Sequence, residues 1–291
     1  HRIVSDMGLS GGRGKGRLLL RGSCLLLLLL LACPLVATAQ PSAISVTEDD
    51  SSGWETAPGD VVAEDGPCNI ERHDATELTQ EEFLLRYAYS EPVLLYNVDN
   101  DKFRQLTTRD RMLADWSTTP VVLNSANTYS YTRVKATFGE YLEEKLKPQN
   151  LETLGNETLY LFGDIDPETW KPLLDEYKKP QFEIPAHLAA LSFGIAGAGT
   201  GVPFHFHGPG FAEVVHGAKR WFLYPYEERP EFNPDRTTLE WYLNEYPKLP
   251  REKRPLECVL RPGEVIYFPD KWWHATLNTR TSVFISTFLS P

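Results

Sequence analysis

The feature that most limits the fold is a succession of short β-type runs in the last hundred residues. From about Leu191 onward, short segments rich in β-branched and aromatic residues alternate with glycine and proline. Each of these turn signals ends a strand, and many short strands with turns between them are typical of a sandwich or barrel. We therefore predict strands at 191–195, 204–207, 211–215, 220–224, 257–260, 265–268, 273–278 and 282–288.

Helical patterns precede these strands and interrupt them once. Asp166 and Pro167 provide an N-cap and a first-turn proline for a helix reaching about Tyr177, and Thr237 with Glu240 forms a capping box. The sequence therefore predicts a mainly β domain with flanking helices. Besides the helix that begins at Pro167, the predicted helices are one that begins after Thr79, one at 109–116, one at 138–146 and an inserted one near 238–246.

The first 39 residues have the organisation of a secretory signal peptide. Basic residues from Arg13 to Arg21 precede an apolar run at 25–36, and a small-x-small pattern ends at Ala39. This order predicts an N-terminal extension and signal peptide at 1–39 that is removed on entry to the endoplasmic reticulum lumen. A membrane anchor is the alternative, but the run is shorter than the roughly 20 residues of a spanning helix. We expect no membrane span after cleavage.

Composition divides the remaining chain into a leader and a domain. Residues 40–66 are rich in acidic residues, serine, glycine and proline and predict a disordered acidic leader, so the folded domain should occupy 67–291. The whole chain has a formal net charge of −11, and removing the basic signal segment makes it more negative. Such a chain is poorly suited to nucleic-acid phosphates, so we expect no nucleic-acid partner.

Two features of the predicted lumenal chain suit an oxidising compartment. Cys24 and Cys33 leave with the signal peptide, so Cys68 and Cys258 remain. Two cysteines in an oxidising lumen predict a disulfide, with a pair of buried thiols as the alternative. Asn156 begins an unblocked Asn-x-Thr sequon, which predicts a glycosylated surface position.

Two histidines are spaced for one face of a strand. His205 and His207 alternate with Phe204 and Phe206 in the segment 203–207, PFHFH. Alternate residues of a strand share a face, so both imidazoles could approach one metal ion. A pair of polar side chains in an ordinary pocket is the alternative.

Two later blocks give this pair a context. They are 217–225, GAKRWFLYP, and 262–278, PGEVIYFPDKWWHATLN. In this order and spacing the three blocks resemble the jumonji-C (JmjC) family over residues 70 to 290. The resemblance implies a double-stranded β-helix, which is a jelly-roll or cupin-like barrel. It also implies His205 and His274 as the first and last iron ligands, Lys219 as the residue for the 2-oxoglutarate carboxylate, and Fe(II) and 2-oxoglutarate as cofactors.

Two positions depart from the family pattern. His207 occupies the second ligand position, where the family has an aspartate or glutamate, and Val202 replaces a hydroxyl residue found in some members. Two hypotheses follow: an Fe(II)/2-oxoglutarate-dependent hydroxylase acting on protein substrates in the secretory pathway, or a catalytically inactive regulatory or protein-binding scaffold. Metal binding survives the departure better than catalysis, since imidazole also binds Fe(II). Either way the partner is a protein, and homo-oligomers are possible.

The remaining candidates carry less information. Glu213 is close enough in sequence to replace the missing carboxylate. His216 lies at a hairpin and is expected to be a solvated turn residue. Trp272 and Trp273 are expected to pack at the barrel mouth rather than to bind a ligand.

Overall fold

The structure is a computed structural model that describes residues 52–54, 66–125, 132–153, 155–163 and 165–291. The predicted signal peptide lies outside these residues, and so does most of the predicted acidic leader. Among the helices within the described ranges, none has both the length and the apolar character needed to cross a membrane.

Eight strands in the C-terminal half form the framework. They are β5 (Leu188–Ala196), β6 (Gly201–His205), β7 (Gly210–His216), β8 (Lys219–Tyr224), β9 (Leu256–Leu260), β10 (Glu264–Phe268), β11 (Trp273–Asn278) and β12 (Ser282–Ser290). Together with β1 (Arg72–Asp74) and β2 (Val93–Tyr96), they form a six-stranded sheet of order β1-β2-β10-β7-β12-β5 and a four-stranded sheet of order β6-β11-β8-β9. Neighbours within both sheets are antiparallel except β1 and β2.

The N-terminal half of the domain adds helices and four more strands. The strands β1 (Arg72–Asp74) and β2 (Val93–Tyr96) extend the larger sheet, whereas β3 (Pro120–Asn124) and β4 (Arg133–Thr137) pair with each other. The helices of this half are α1 (Gln80–Arg86), α2 (Asp101–Leu106), α3 (Arg109–Trp116), α4 (Phe138–Glu140) and α5 (Pro167–Leu174). A sixth helix, α6 (Thr238–Asn244), lies between β8 and β9 in the C-terminal half.

Apolar side chains from the two sheets meet in the barrel interior. Ala212 and Val214 of the larger sheet belong to the same buried cluster as Trp221 and Leu223 of the smaller one. The alternate residues face outward and are covered by helices: Phe211 of β7 contacts Phe83 of α1. Strand alternation therefore gives each sheet one face toward the interior and one toward a helix. This jelly-roll arrangement confirms the predicted fold class.

The predicted disulfide is present. Cys68, just upstream of β1, bonds to Cys258 of β9, and the two residues are 190 positions apart in the sequence. Cys258 is buried within the interior cluster, so the bridge ties the start of the domain to the smaller sheet.

Trp54 of the predicted acidic leader packs against the domain. Trp54 is only 4% exposed and packs in the largest apolar cluster, where its indole nitrogen donates a hydrogen bond to the Thr107 carbonyl at 2.9 Å. The prediction of a leader without structure is therefore wrong at residues 52–54. An indole removes enough apolar surface from water to anchor a segment that is otherwise polar.

Several boundaries differ from the sequence predictions. The helix expected at 138–146 is one α-helical turn, α4, followed by a π-helix at Tyr141–Lys145, and α5 ends at Leu174 rather than near Tyr177. Helix α2 and the strands β1 and β4 were not predicted, because each is too short for its apolar residues to establish a repeat. The most important difference is that β6 ends at His205, so His207 lies outside the strand.

Candidate functional site

The first and third histidines are placed by strand register. His205 is the last residue of β6, and it lies directly opposite His274 of β11 in the antiparallel ladder. A register shift follows between His274 and Thr276. The two ring centroids are 4.3 Å apart, so hydrogen bonding between the strands fixes two imidazoles side by side.

The second histidine reaches the same place without strand geometry. His207 follows the end of β6, and its ring centroid lies 5.5 Å from that of His205 and 4.7 Å from that of His274. One potential ligand atom from each of the three residues lies within 4.8 Å of the other two. His205 and His207 do converge, as the sequence predicted. The predicted cause, alternation along one strand, was wrong because β6 ends at His205.

Backbone carbonyls fix the protonation of all three rings. The Nδ1 atom of His205 lies 2.8 Å from the carbonyl oxygen of Pro203, and that of His207 lies 2.8 Å from the carbonyl oxygen of Gly208. The Nδ1 atom of His274 lies 2.9 Å from the carbonyl oxygen of Trp272. A carbonyl oxygen only accepts, so each Nδ1 must carry the proton. Each Nε2 is then left with a free lone pair, which is the arrangement of a histidine that binds metal.

Burial keeps these rings neutral. It lowers the pKa of His205 to about 4, and it holds the pKa of His274 well below the usual value, with the neighbouring imidazoles as a further cause. Burial also lowers the pKa of His207, which Asp270 partly offsets. Three neutral donors are therefore present at physiological pH without competition from protons.

Aromatic rings surround the three histidines. The rings of Phe268 and Trp221 lie 4.7 Å and 5.7 Å from His274, and Phe288 lies 5.2 Å from His207. In the described part of the chain, the cluster of potential ligands contains these histidines and no carboxylate. The donor set is therefore uncharged and lies in an apolar environment.

Lys219 lies in the barrel, as the resemblance implied, but its amine faces a ring. The side chain is buried, and Nζ lies 3.2 Å from the centroid of the Phe284 ring. Burial lowers the pKa of this amine to about 7. Trp221 lies two residues later on the same face, and its buried indole N–H has no hydrogen-bond partner among the residues that the structure describes.

A cleft opens beside one histidine. It has a volume of about 830 Å³ and is lined by His207, Asp270, Tyr89, Ile184, Phe288 and Leu289, among others. The cleft gives a large group from solvent a route toward the metal-ligand cluster at the His207 side.

Two sequence candidates lie elsewhere. Glu213 is buried, and its Oε2 accepts a hydrogen bond from Asn100 Nδ2 at 2.8 Å. Its neighbours Ala212 and Val214 face the barrel interior, so Glu213 points to the opposite side of the sheet and cannot replace the missing carboxylate. His216 is buried rather than solvated, because α2 covers it: its Nε2 lies 3.0 Å from the Arg104 carbonyl oxygen.

The two tryptophans before His274 pack at the barrel mouth, as expected. Trp273 contacts the Phe206 ring at 4.8 Å, and the Trp272 indole donates to the Ser90 carbonyl at 3.1 Å.

Comparison with known protein families identifies the domain. A family model described as "Cupin-like domain" matches residues 124–288. The JmjC domain-containing protein 8 of Homo sapiens is 52% identical over 262 residues, covering 90% of this chain and 97% of the relative. The chain belongs to the cupin-like JmjC family. The family resemblance inferred from the sequence is thereby confirmed.

The chain is also similar to another curated relative and, more remotely, to a solved structure. The JmjC domain-containing protein 8 of Rattus norvegicus is 49% identical, covering 91% of this chain and 97% of the relative. The fold is also similar to a solved structure of the ribosomal oxygenase YcfD of Escherichia coli in complex with cobalt and 2-oxoglutarate. It has a TM-score of 0.45 and 18% identity, covering 74% of this chain and 52% of that one.

Proposed function

We propose that this JmjC protein binds a divalent metal ion through His205, His207 and His274 in the endoplasmic reticulum lumen. In this proposal it acts as a regulatory or protein-binding scaffold with little or no oxygenase turnover. The observation that carries the proposal is the convergence of three imidazoles whose Nδ1 protons are all held by backbone carbonyls. Ordinary packing does not require three imidazoles to converge while a backbone carbonyl holds the Nδ1 proton of each.

The residues present fit a metal ion. Neutral imidazole binds Fe(II), Zn(II) and Ni(II), and an apolar shell around the ligands strengthens their interaction with a cation. Compared with two histidines and a carboxylate, however, the complex has one more positive charge. In active members of the family, iron and 2-oxoglutarate together supply the oxygen chemistry of hydroxylation, and the carboxylate ligand stabilises the higher iron oxidation states.

The residues at the implied 2-oxoglutarate position fit this co-substrate poorly, although the buried Trp221 indole N–H, which has no partner among the described residues, lies on the same face as Lys219. The Lys219 amine faces the Phe284 ring, and Val202 offers no hydroxyl group. A co-substrate with two carboxylates needs charged or hydrogen-bonding groups at both ends. For this reason we favour a scaffold over an oxygenase.

The oxygenase remains the second candidate because of two observations. His205, His274 and Lys219 occupy the family positions, and the cleft beside His207 has room for a protein side chain. In this candidate, the protein partner is a substrate whose side chain enters the cleft.

Lumenal location is part of the proposal and rests on three features of the sequence. They are the signal-peptide pattern at 1–39, the sequon at Asn156 and the cysteine pair that forms the disulfide. Disulfides persist mainly in oxidising compartments.

The test is to purify the full chain from a secretory host, measure bound metal, and assay 2-oxoglutarate-dependent succinate release with Fe(II). We expect one metal ion per chain and succinate release at the metal-free background. The His207→Asp variant restores the family's donor set and should hold the metal more tightly, since the carboxylate adds negative charge.

Two outcomes contradict the proposal in different ways. If the native protein releases succinate above background and as fast as the His207→Asp variant, the scaffold hypothesis is wrong and the oxygenase hypothesis is right. If neither the native protein nor the variant binds metal, the proposed metal site itself is wrong.

A further inference from the structure

Within the described part of the chain, the amine of Lys219 has no anionic neighbour. Lys219 begins β8 and is 5% exposed. Burying an amine without a counter-charge is unfavourable, so a lysine at this position of the family is normally expected to meet an anionic ligand. In this chain, a different group occupies the space in front of the amine.

That group is the phenyl ring of Phe284. Phe284 lies on β12 opposite Val214 of β7, and therefore faces the barrel interior as Val214 does. Its ring centroid is 3.2 Å from Lys219 Nζ, which is within direct van der Waals contact. The ring face attracts an ammonium group and offers favourable packing to a neutral amine, so it stabilises Lys219 in either protonation state.

The ring can occupy this position because the residue opposite it on β5 is a glycine. Gly194 pairs with Phe284 in the β12–β5 ladder. A Cβ atom at Gly194 would lie 2.6 Å from the Phe284 ring and 2.9 Å from the Phe162 ring. Any larger residue would therefore displace the phenyl ring, so Gly194 and Phe284 act together to place it over Lys219.

We infer that Phe284, seated over Gly194, closes the position at which Lys219 would meet a carboxylate of 2-oxoglutarate. The barrel therefore holds its metal without this co-substrate. The inference rests on the proposed function for the metal, but the contact between Phe284 and Lys219 is independent of it. Phe284 is thus the residue that determines whether the barrel accepts an oxoacid.

The experiment tests whether removing the Phe284 ring allows 2-oxoglutarate to bind. Calorimetric titration of 2-oxoglutarate into the Zn(II)-loaded full chain should give no measurable heat for the native protein. The Phe284→Val variant removes the ring and retains a β-branched residue suited to a strand, so we expect it to bind 2-oxoglutarate at least tenfold more tightly. Adding Lys219→Met to Phe284→Val should abolish the gained binding, because the carboxylate then has no partner.

A matched control distinguishes the ring from general loosening of the barrel. Phe193 precedes Gly194 on β5, so its side chain lies on the opposite, outer face of the sheet, where its ring packs against Trp170. The Phe193→Val variant loosens the barrel wall without uncovering Lys219 and should therefore show no gain of 2-oxoglutarate binding. Equal gains in both valine variants would overturn the inference, and so would native binding as tight as that of Phe284→Val.

A second measurement does not depend on metal. Acylation of Lys219 by a small amine-reactive reagent, followed by mass spectrometry, should be slow in the native protein and at least tenfold faster in Phe284→Val. Equal labelling rates in a folded variant would show that the ring does not cover the amine. Loss of metal binding with the labelling difference intact would contradict the proposed function and leave this inference standing.

Discussion

His205 and His274 face each other across two antiparallel strands, and their imidazole centroids are 4.3 Å apart. Each ring donates its Nδ1 proton to a carbonyl two residues earlier in the chain, so the two Nε2 atoms are free. Strand register and local backbone thus prepare two ligands before any metal is bound, and the same preparation at His207 completes the set.

This relationship predicts which histidine is needed for metal. The His274→Ala variant should lose stoichiometric Zn(II) binding, since two imidazoles alone hold the ion weakly. His187 is the matched control, because its Nδ1 also bonds to a carbonyl, that of Pro185, while the ring lies outside the ligand cluster. The His187→Ala variant should bind Zn(II) as the native protein does. Elemental analysis after dialysis measures both, and equal loss in the two variants would contradict the site.

Location in the endoplasmic reticulum lumen predicts N-glycosylation at Asn156. In a secretory host, endoglycosidase treatment should increase the gel mobility of the native protein, and Asn156→Gln should remove this shift. Thr158→Ser preserves the sequon and should retain the shift. An unshifted native protein that fractionates with the cytosol would contradict the lumenal location.

The disulfide should contribute to stability. Because Cys68 and Cys258 are 190 residues apart, the bridge closes a very long loop in the unfolded chain. The entropic model assigns such a crosslink roughly 4–5 kcal/mol. We expect Cys68→Ala with Cys258→Ala to lower the melting temperature markedly. A reducing agent should lower the native melting temperature and leave that of the double variant unchanged. Alkylation of both thiols in the native protein would refute the bridge.

The buried ion pair under α6 should be sensitive to loss of one partner. Arg220 and Glu257 are each 2% exposed, and Tyr246 also donates to the carboxylate. Glu257→Gln leaves a buried guanidinium without its counter-charge, which should lower the free energy of unfolding by about 3–5 kcal/mol. Replacing both partners by Met and Leu should recover most of this loss in denaturant titrations.

An exposed ion pair provides the control for this experiment. Lys171 of α5 pairs with Asp175, the residue that follows the end of this helix, and both side chains are well exposed to solvent. Asp175→Asn should unfold at nearly the native denaturant concentration. A change as large as that of Glu257→Gln would show that burial is not the cause.

Glu213 should make stability depend on pH. Burial raises the pKa of this carboxyl to about 7 from an ordinary 4.5, with hydrogen bonds from Tyr177 and Asn100 opposing the shift. Between these values the folded protein holds a proton that the unfolded chain releases. The contribution of Glu213 to stability is therefore gained as the pH falls through 7 and is absent at higher pH.

The Glu213→Gln variant isolates this contribution because glutamine does not titrate. From pH 6 to pH 8, the free energy of unfolding of the native protein should fall by roughly 1 kcal/mol relative to the variant. Contributions of the histidines cancel in this difference. Glu143→Gln, at an exposed position, should parallel the native protein. A constant difference between native and Glu213→Gln would mean that Glu213 is charged in the folded state.

The sequence by itself determined the fold class, the family and the identity of the metal-ligand candidates. Short strands with turn signals record local backbone preferences, and a motif such as PFHFH is contiguous in the chain, so both can be read without coordinates. The cysteine pair was also predictable, because only two cysteines remain after the predicted signal cleavage.

Only the tertiary structure decided what surrounds those residues. His207 joins the other histidines although its strand has ended, Glu213 faces away from them, and the ring of Phe284 covers Lys219. The contact between Phe284 and Lys219 depends on Gly194, ninety residues away on a neighbouring strand. Contacts of this kind arise from sheet register and side-chain packing between distant segments, and no local pattern in the sequence encodes them.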